Sequence, residues 1–147
     1  MEIRKVENDK AKYMDILLEA DPDKDIVNKY LEYGDLYVGE KDGIPVCVCV
    51  ITKYNEDTCE LKNIATLPSA RGNGYAGKMI KYVFEMYKDI YKKMIVGTTE
   101  NMIPFYVLNG FNRYHHTVKN FFVDNYENEI WDGNLQCIDM YYYSKEF

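Results

Sequence analysis

No apolar run in the sequence approaches the roughly 20 residues that cross a bilayer. Its start, Met1 to Asp9, carries no apolar core of the kind a secretory signal needs. A cytoplasmic protein without a membrane partner is the expectation. Cations are short as well: 18 Lys and Arg stand against 24 Asp and Glu, a net charge of −6, which excludes the broad basic face of a general nucleic-acid binder. Metal ligands are sparse. The 2 histidines, His115 and His116, are adjacent, so on a strand they would face opposite sides and could not share an ion. None of the 4 cysteines, Cys47, Cys49, Cys59 and Cys137, forms a Cys-x-x-Cys pair. Cys47 and Cys49 alternate within Val46-Cys-Val-Cys-Val50, where reduced thiols serve as small core hydrophobes. No metal is expected. Linkers and repeats are missing too, and 147 residues at 47% apolar content suit a single domain spanning 1–147.

What the chain does have is a concentration of glycine, in Arg71-Gly72-Asn73-Gly74-Tyr75-Ala76-Gly77-Lys78. Glycine reaches positive φ and lets a ligand approach the main chain, so a strand-to-helix turn of this kind can aim several N–H groups at one anion. The helix that follows adds its positive end. A phosphate is the predicted ligand. Three templates fit the same residues. Gly72-x-Gly74-x-x-Gly77 matches the dinucleotide fingerprint, and Gly72-x4-Gly77-Lys78 matches a P-loop apart from Met79 in place of the hydroxyl residue. Arg71-x-x-Gly74-x-Ala76 matches the pyrophosphate loop of coenzyme A-dependent acetyltransferases.

Context separates them. Ala11, Met14, Leu17 and Leu18 predict a helix across Asn8 to Ala20, after a short strand at Ile3 to Val6. A second helix is predicted with Asp21 as its cap, Pro22 in its first turn, Ile26, Val27, Tyr30 and Leu31 as its apolar stripe, and Gly34 as its end. Leu36 to Glu40 and Ile44 to Thr52, joined by Lys41-Asp42-Gly43, read as a hairpin. Cys59 to Leu67 reads as a third antiparallel strand, stopped by Pro68. From Tyr75, the residues Met79, Ile80, Val83, Phe84, Tyr87 and Ile90 mark the main amphipathic helix. It leads to a buried strand, Met94 to Thr98, parallel to the strand before the glycine loop. A short helix with Pro104 near its start and Gly110 as its stop follows. The last strands are Phe111 to Val118 and Gln136 to Tyr143, with an acidic, aromatic loop between. A dinucleotide fold wants its glycines after the first strand and an acid about 20 residues on at a strand end; here a hairpin comes first, and Asp89 falls in the helix. A P-loop needs the hydroxyl that Met79 lacks.

The strand Leu61-Lys-Asn-Ile-Ala-Thr-Leu-Pro68, then Arg-Gly-Asn-Gly-Tyr-Ala, a long helix, a strand, Asn101 and Phe105-Tyr106-x3-Gly110-Phe111 together resemble the GCN5-related N-acetyltransferase (GNAT) superfamily. The order of elements resembles it over nearly the whole chain, the residues from Leu61 through Phe111. The tail, Asn120-Phe-Phe-Val-Asp-Asn-Tyr through Gly133-Asn-Leu-Gln-Cys-Ile-Asp-Met140, is similar to the end of a bacterial subgroup of small, uncharacterised acetyltransferases. The resemblance implies an α/β (α+β) fold: a mixed, mostly antiparallel central sheet with one splayed parallel pair, flanked by helices. It implies acetyl-CoA as cosubstrate, no metal, and direct acetyl transfer within a ternary complex to a primary amine of a small molecule or peptide. A non-catalytic acyl-CoA-binding or sensing module is the alternative.

By resemblance, the backbone of Arg71, Gly72, Asn73, Gly74, Tyr75 and Ala76 holds the pyrophosphate, with Gly77 serving helix packing. The main chain of Ile64, Ala65 and Thr66 pairs with the pantetheine arm, and Asn101 bonds the cofactor near its acyl end. Tyr106 matches the tyrosine that protonates the departing thiolate, the competing reading being simple packing beside Phe105 and Phe111. The amine must lose a proton, so a general base or a water chain to one is expected. Glu60 stands where many relatives carry that carboxylate, the competing reading being a solvated strand-end charge; Glu100 is a second candidate. The acceptor depends on the first two helices, the Tyr30 to Tyr37 region and the loop from Val123 to Asn134, whose acids and aromatics could suit a cationic amine. They serve equally as a homodimer contact, as does Tyr141-Tyr142-Tyr143.

Overall fold

A computed structural model describes the whole chain, residues 1–147. The apolar and β-branched runs of its first half become β1 (Glu2–Lys5), β2 (Asp35–Lys41), β3 (Ile44–Lys53) and β4 (Thr58–Thr66), each antiparallel to the next. Between β2 and β3, Asp42 and Gly43 take φ of 52° and 79°, the two positive values of a type I′ turn whose twist matches the flanking strands. Alternation along β3 sorts its side chains between two layers. Cys47, Cys49 and Ile51 join the cluster under the main helix, while Val48 and Val50 join the cluster on the other face. All four thiols are buried and unbridged.

The main helix, α3 (Tyr75–Tyr87), buries Met79, Ile80, Val83 and Tyr87 against that first face, each contributing about 1.5–3 kcal/mol of apolar burial. The opposite face is covered by α1 (Met14–Leu17) and α2 (Lys24–Tyr33), through Leu17, Val27 and Leu31 packed on Leu36, Val38, Val48 and Val50. α3 carries the chain across to β5 (Lys93–Thr98), which pairs parallel with β4. α4 (Ile103–Leu108), β6 (Arg113–Val118), α5 (Phe121–Asn125), the small hairpin β7 (Ile130–Asp132) with β8 (Leu135–Cys137), and β9 (Met140–Glu146) follow. The 7-stranded sheet has the order β1-β2-β3-β4-β5-β9-β6, and β4 with β5 is its parallel pair. The expected mixed, mostly antiparallel sheet flanked by helices is the fold observed.

Several local expectations are corrected. The helix across Asn8 to Ala20 is a 3-10 turn, Lys10–Tyr13, followed by the single turn of α1. The cap of α2 is Asp23, whose carboxylate accepts from Ile26 N at 3.0 Å, and Asp21 instead accepts from Asp23 N. Gly34 ends α2 with an extended backbone; its reason is steric, since a Cβ there would lie 2.6 Å from Val50 Cγ1. The strand expected across Gln136 to Tyr143 is divided between β8 and β9, and the loop before it contains α5 and β7. His115 and His116 do not face opposite sides. The β6–β9 register slips between Tyr114 and His116, and this bulge at His115 brings the two Nδ1 atoms to 2.6 Å.

Candidate active site

The glycine stretch lies where the parallel pair comes apart. β4 and β5 pair from Thr58 opposite Lys93 to Leu61 opposite Val96. β4 then runs on to Thr66 beside β3 and β5 to Thr98 beside β9, with no ladder between them. The β5-facing edge of Asn63 to Thr66 is therefore open to a ligand that can supply strand-like hydrogen bonds. Leu67 still donates to Val46 O, and Pro68 opens a 3-10 turn, Pro68–Ala70, that turns the chain into the glycine loop.

Gly72 and Gly74 have φ of 84° and 76°, and a Cβ on either would meet nothing within 4 Å. The glycines serve conformation there, over open space. Asn73 fixes the turn by donating its side-chain amide to Ala70 O at 2.9 Å. Lys78 N–H bonds back to Gly74 O, and Arg71 N–H reaches Pro68 O. Between them, the N–H groups of Gly72, Asn73, Gly74, Tyr75, Ala76 and Gly77 donate to no protein acceptor. A run of free donors at the start of a 13-residue helix has the donors and dipole that hold a phosphate. Gly77 has a different task. A Cβ there would stand 2.8 Å from Asn109 Oδ1, so its absence lets the start of α3 approach the end of α4.

A cleft of about 930 Å³ runs from this loop along the open edge of β4. Its walls come from the α1–α2 connection, from Leu61 to Thr66 on β4, from Val96 to Thr99 on and after β5, from α4, and from the β7 hairpin. On the α4 wall stands Tyr106, its ring held edge-on between Phe105 and Phe111 at centroid distances of 5.1 and 5.9 Å. Burial pushes its phenol up to about 12, so it keeps its proton at neutral pH. At the head of the glycine loop, Arg71 Nη2 lies 3.3 Å from Glu19 Oε2 on the α1–α2 connection.

β4 also carries a bulge. Val50 pairs with Asn63 and Ile51 with Leu61, leaving Lys62 as the extra residue, and such an insertion re-aims the side chains around it. Lys62 lines the cleft, with Nζ 3.6 Å from Glu60 Oε2 and 5.9 Å from the centre of the Tyr30 ring. Glu60 is only 7% exposed. Burial holds its carboxyl above the ordinary value, against the opposing pull of Lys62.

A family model for the acetyltransferase (GNAT) domain matches residues 32–113. This chain belongs to the GNAT acetyltransferases. Over 130 residues it is 33% identical to the uncharacterised N-acetyltransferase YvbK of Bacillus subtilis (strain 168), covering 86% of this chain and 83% of that protein. Among solved structures it superposes with a TM-score of 0.94 on a GNAT acetyltransferase from Elizabethkingia anophelis with acetyl-CoA bound, at 31% identity, over 99% of this chain and 97% of that one. A Bacillus subtilis acetyltransferase in complex with CoA gives a TM-score of 0.86 at 27% identity, over 99% and 97% of the two chains.

In this GNAT chain the cleft wall contains Ile64, Ala65, Thr66, Arg71, Gly72, Gly74, Tyr75, Ala76 and Tyr106. The others named from the sequence stand apart from it. Asn73 turns its side chain back onto Ala70 O. Asn101 is exposed and donates to Asp132 O at 3.1 Å, and Glu100 is exposed in the 3-10 turn before α4. Glu60 is not on the wall itself but lies behind Lys62; as a buried carboxylate within a strand it is no solvated strand-end charge. The sequence reading did not single out Asp21, Asn63 or Tyr126 as cleft residues, Tyr126 entering only as one aromatic of the Val123 to Asn134 loop. Their signal was weak: two acids flanking Pro22, one amide inside a strand, and one of 15 tyrosines.

Proposed function

We propose that the chain transfers the acetyl group of acetyl-CoA to a primary amine of a small molecule or peptide, by direct attack while both are bound. The observation that carries this reading is the run of unpaired N–H groups from Gly72 to Gly77, set beside the open edge of β4. The first supplies donors for a pyrophosphate, and Ile64 to Thr66 supply main-chain partners for an amide-bearing arm. Acetyl-CoA and CoA in the two structural relatives support the same cosubstrate. Arg71 adds a cation at the loop, and an incoming phosphate would compete with Glu19 for it.

The amine nitrogen attacks the thioester carbonyl, the C–N bond forms and the C–S bond breaks. Holding both partners in one cleft makes this step effectively unimolecular, and backbone N–H groups polarise the carbonyl oxygen as negative charge develops there. The departing sulfur receives its proton from Tyr106. The proton lost by the amine goes to Glu60, which it reaches past Lys62 or over a water chain. Burial holds that carboxyl above its ordinary value, which makes it a stronger base than an exposed carboxylate.

A thermal-shift comparison of acetyl-CoA, NAD and ATP tests the ligand class. At 100 times its dissociation constant a ligand specific to the folded state contributes about 2.7 kcal/mol, or roughly 5–10 °C for a chain of this size. That shift is expected with acetyl-CoA alone, and its absence with any CoA ends this reading. Release of free thiol on adding an amine panel then separates an enzyme from a sensing module.

A further inference from the structure

The cleft corner between the α1–α2 connection and the β7 hairpin holds polar groups that the acetyl-transfer reading leaves unused. Asn63 donates through Nδ2 to Leu17 O at 3.1 Å and to the Tyr30 hydroxyl at 2.9 Å. Tyr30 donates onward to Asp21 Oδ2 at 3.3 Å, and Tyr126 donates to Asp21 Oδ1 at 3.0 Å. The Leu17 carbonyl can only accept, so the Asn63 amide is fixed in this orientation. Its Oδ1 is then left buried without a hydrogen-bond partner, on a residue that is 5% exposed and lines the cleft. A buried acceptor is costly to leave unpaired, so this oxygen marks a place for a ligand's N–H.

Charge points the same way. The two cations on the cleft wall, Lys62 and Arg71, are already engaged by Glu60 and Glu19. Asp21 and Asp132, also on the wall, face no cation of their own. The surroundings are apolar and aromatic, with Phe122 and Tyr126 stacked at a centroid distance of 5.8 Å and Trp131 beyond them.

We propose that this corner is the acceptor site, and that it takes a primary ammonium carried on an apolar, aromatic skeleton. Asn63 Oδ1 accepts one N–H, Asp21 supplies the opposing charge, and Phe122, Tyr126 and Trp131 take the skeleton through apolar and cation–π contact. Asn63 precedes Ile64 on β4, so an amine held there stands beside the strand edge assigned to the pantetheine arm. A carboxylate on the same skeleton is rejected by Asp21 and Asp132. The proposal rests on the acetyl-transfer reading.

Phenethylamine is the probe, titrated by calorimetry into protein saturated with CoA. Saturable binding is expected, at least tenfold tighter than for 2-phenylethanol or phenylalanine. Asn63→Leu should keep CoA affinity and weaken phenethylamine at least tenfold. If Asn63→Leu no longer binds CoA, Asp21→Asn carries the test with the same tenfold loss, since it keeps the side-chain shape and removes the charge. No binding, equal binding of the alcohol, or unchanged affinity in a CoA-competent variant overturns the proposal. Thiol release to another amine would then leave acetyl transfer standing, whereas failure of CoA itself to bind overturns both.

Discussion

Tyr106→Phe removes one oxygen and leaves the ring in place. The hydroxyl makes no hydrogen bond to the protein, and the ring contacts with Phe105 and Phe111 survive, so stability should change by no more than about 0.5 kcal/mol. The chemistry should change far more. With its phenol pushed up to about 12 by burial, Tyr106 is a weak acid for a thiolate whose conjugate thiol in water lies near 8.5. That gap of roughly 3.5 units would cost about 4.8 kcal/mol for full transfer. The sulfur, however, does not leave into water. The thiol of Cys59, buried in this same protein, is pushed up to about 12 by burial. If the CoA sulfur departs beside the desolvated Tyr106 phenol, as proposed, its thiol is raised in the same direction, which brings donor and acceptor toward balance, where a proton moves with least penalty.

Loss of that proton donor should lower turnover by about 10²–10⁴, equivalent to about 2.7–5.5 kcal/mol of barrier. Acetyl-CoA affinity should stay within about threefold, because the loop and the β4 edge proposed to hold the cosubstrate are untouched. Thiol release at saturating amine and acetyl-CoA measures the first quantity and calorimetry the second. Unchanged turnover, or an affinity that falls as far as the rate, refutes the assignment.

Glu60→Gln tests the base. The folded state holds the Glu60 proton more tightly than the unfolded chain does, because burial raises its pKa. The charged form is therefore a burden on stability that grows as pH rises through the raised value and vanishes below the usual carboxylate range. The Gln variant should match wild type near about pH 4, exceed it near about pH 8 in denaturant unfolding, and lose the acid limb of the kcat/KM profile; lower stability at the higher pH contradicts this. Gly74→Ala forces a Cβ into φ of 76° over open space, a purely conformational cost of about 1–2 kcal/mol. Relaxing it re-aims the donors of the loop, so acetyl-CoA affinity should fall about tenfold by calorimetry, and an unchanged constant rejects the cradle. Gly77→Ala should act on folding, since the Asn109 amide must give up its 2.8 Å bond to Phe105 O to make room. A loss of about 1 kcal/mol, or a few degrees in melting temperature, is expected, and an unaffected melting temperature refutes the α3–α4 contact.

The fold was legible where the signal is local. The Asp42-Gly43 turn, the α3 stripe as far as Tyr87 and the strand–helix–strand order around the glycine loop each follow from a few neighbouring residues, whereas Ile90, expected on that stripe, lies past the helix end and is exposed. The cap of α2 did not, because Asp21 and Asp23 are equivalent acids on either side of Pro22. What distinguishes them is Asp21's hydrogen bonds to Tyr30 and to Tyr126, the latter 105 residues away. β7 and β8, at 3 residues each, are too short for a period of two to register. At His115 and His116 the alternation rule itself failed, since it presumes a regular strand and β6 is bulged there.

The same failure at Lys62 decides what the cleft contains. Strict alternation from Leu61 would put Asn63 on the α3 face, with Lys62 and Ile64 on the other. The bulge reverses the phase. Leu61 and Ile64 both pack into the α3 cluster, whereas Ala65 joins the α1/α2 cluster and Asn63 reaches Leu17 and Tyr30 on that side. No glycine marks the position, and the bulge arises from pairing with Val50 and Ile51 on a different strand. The consequence extends along the cleft. Without the inserted Lys62, the Asn63 amide would point at α3, and the Tyr30–Asp21–Tyr126 chain would have no anchor on the sheet. With it, one strand offers a bare main-chain edge toward β5 and a fixed, half-satisfied amide toward α2. The glycine loop sets where a phosphate can sit, and a single unpaired strand residue sets which side chains meet whatever is held beyond it.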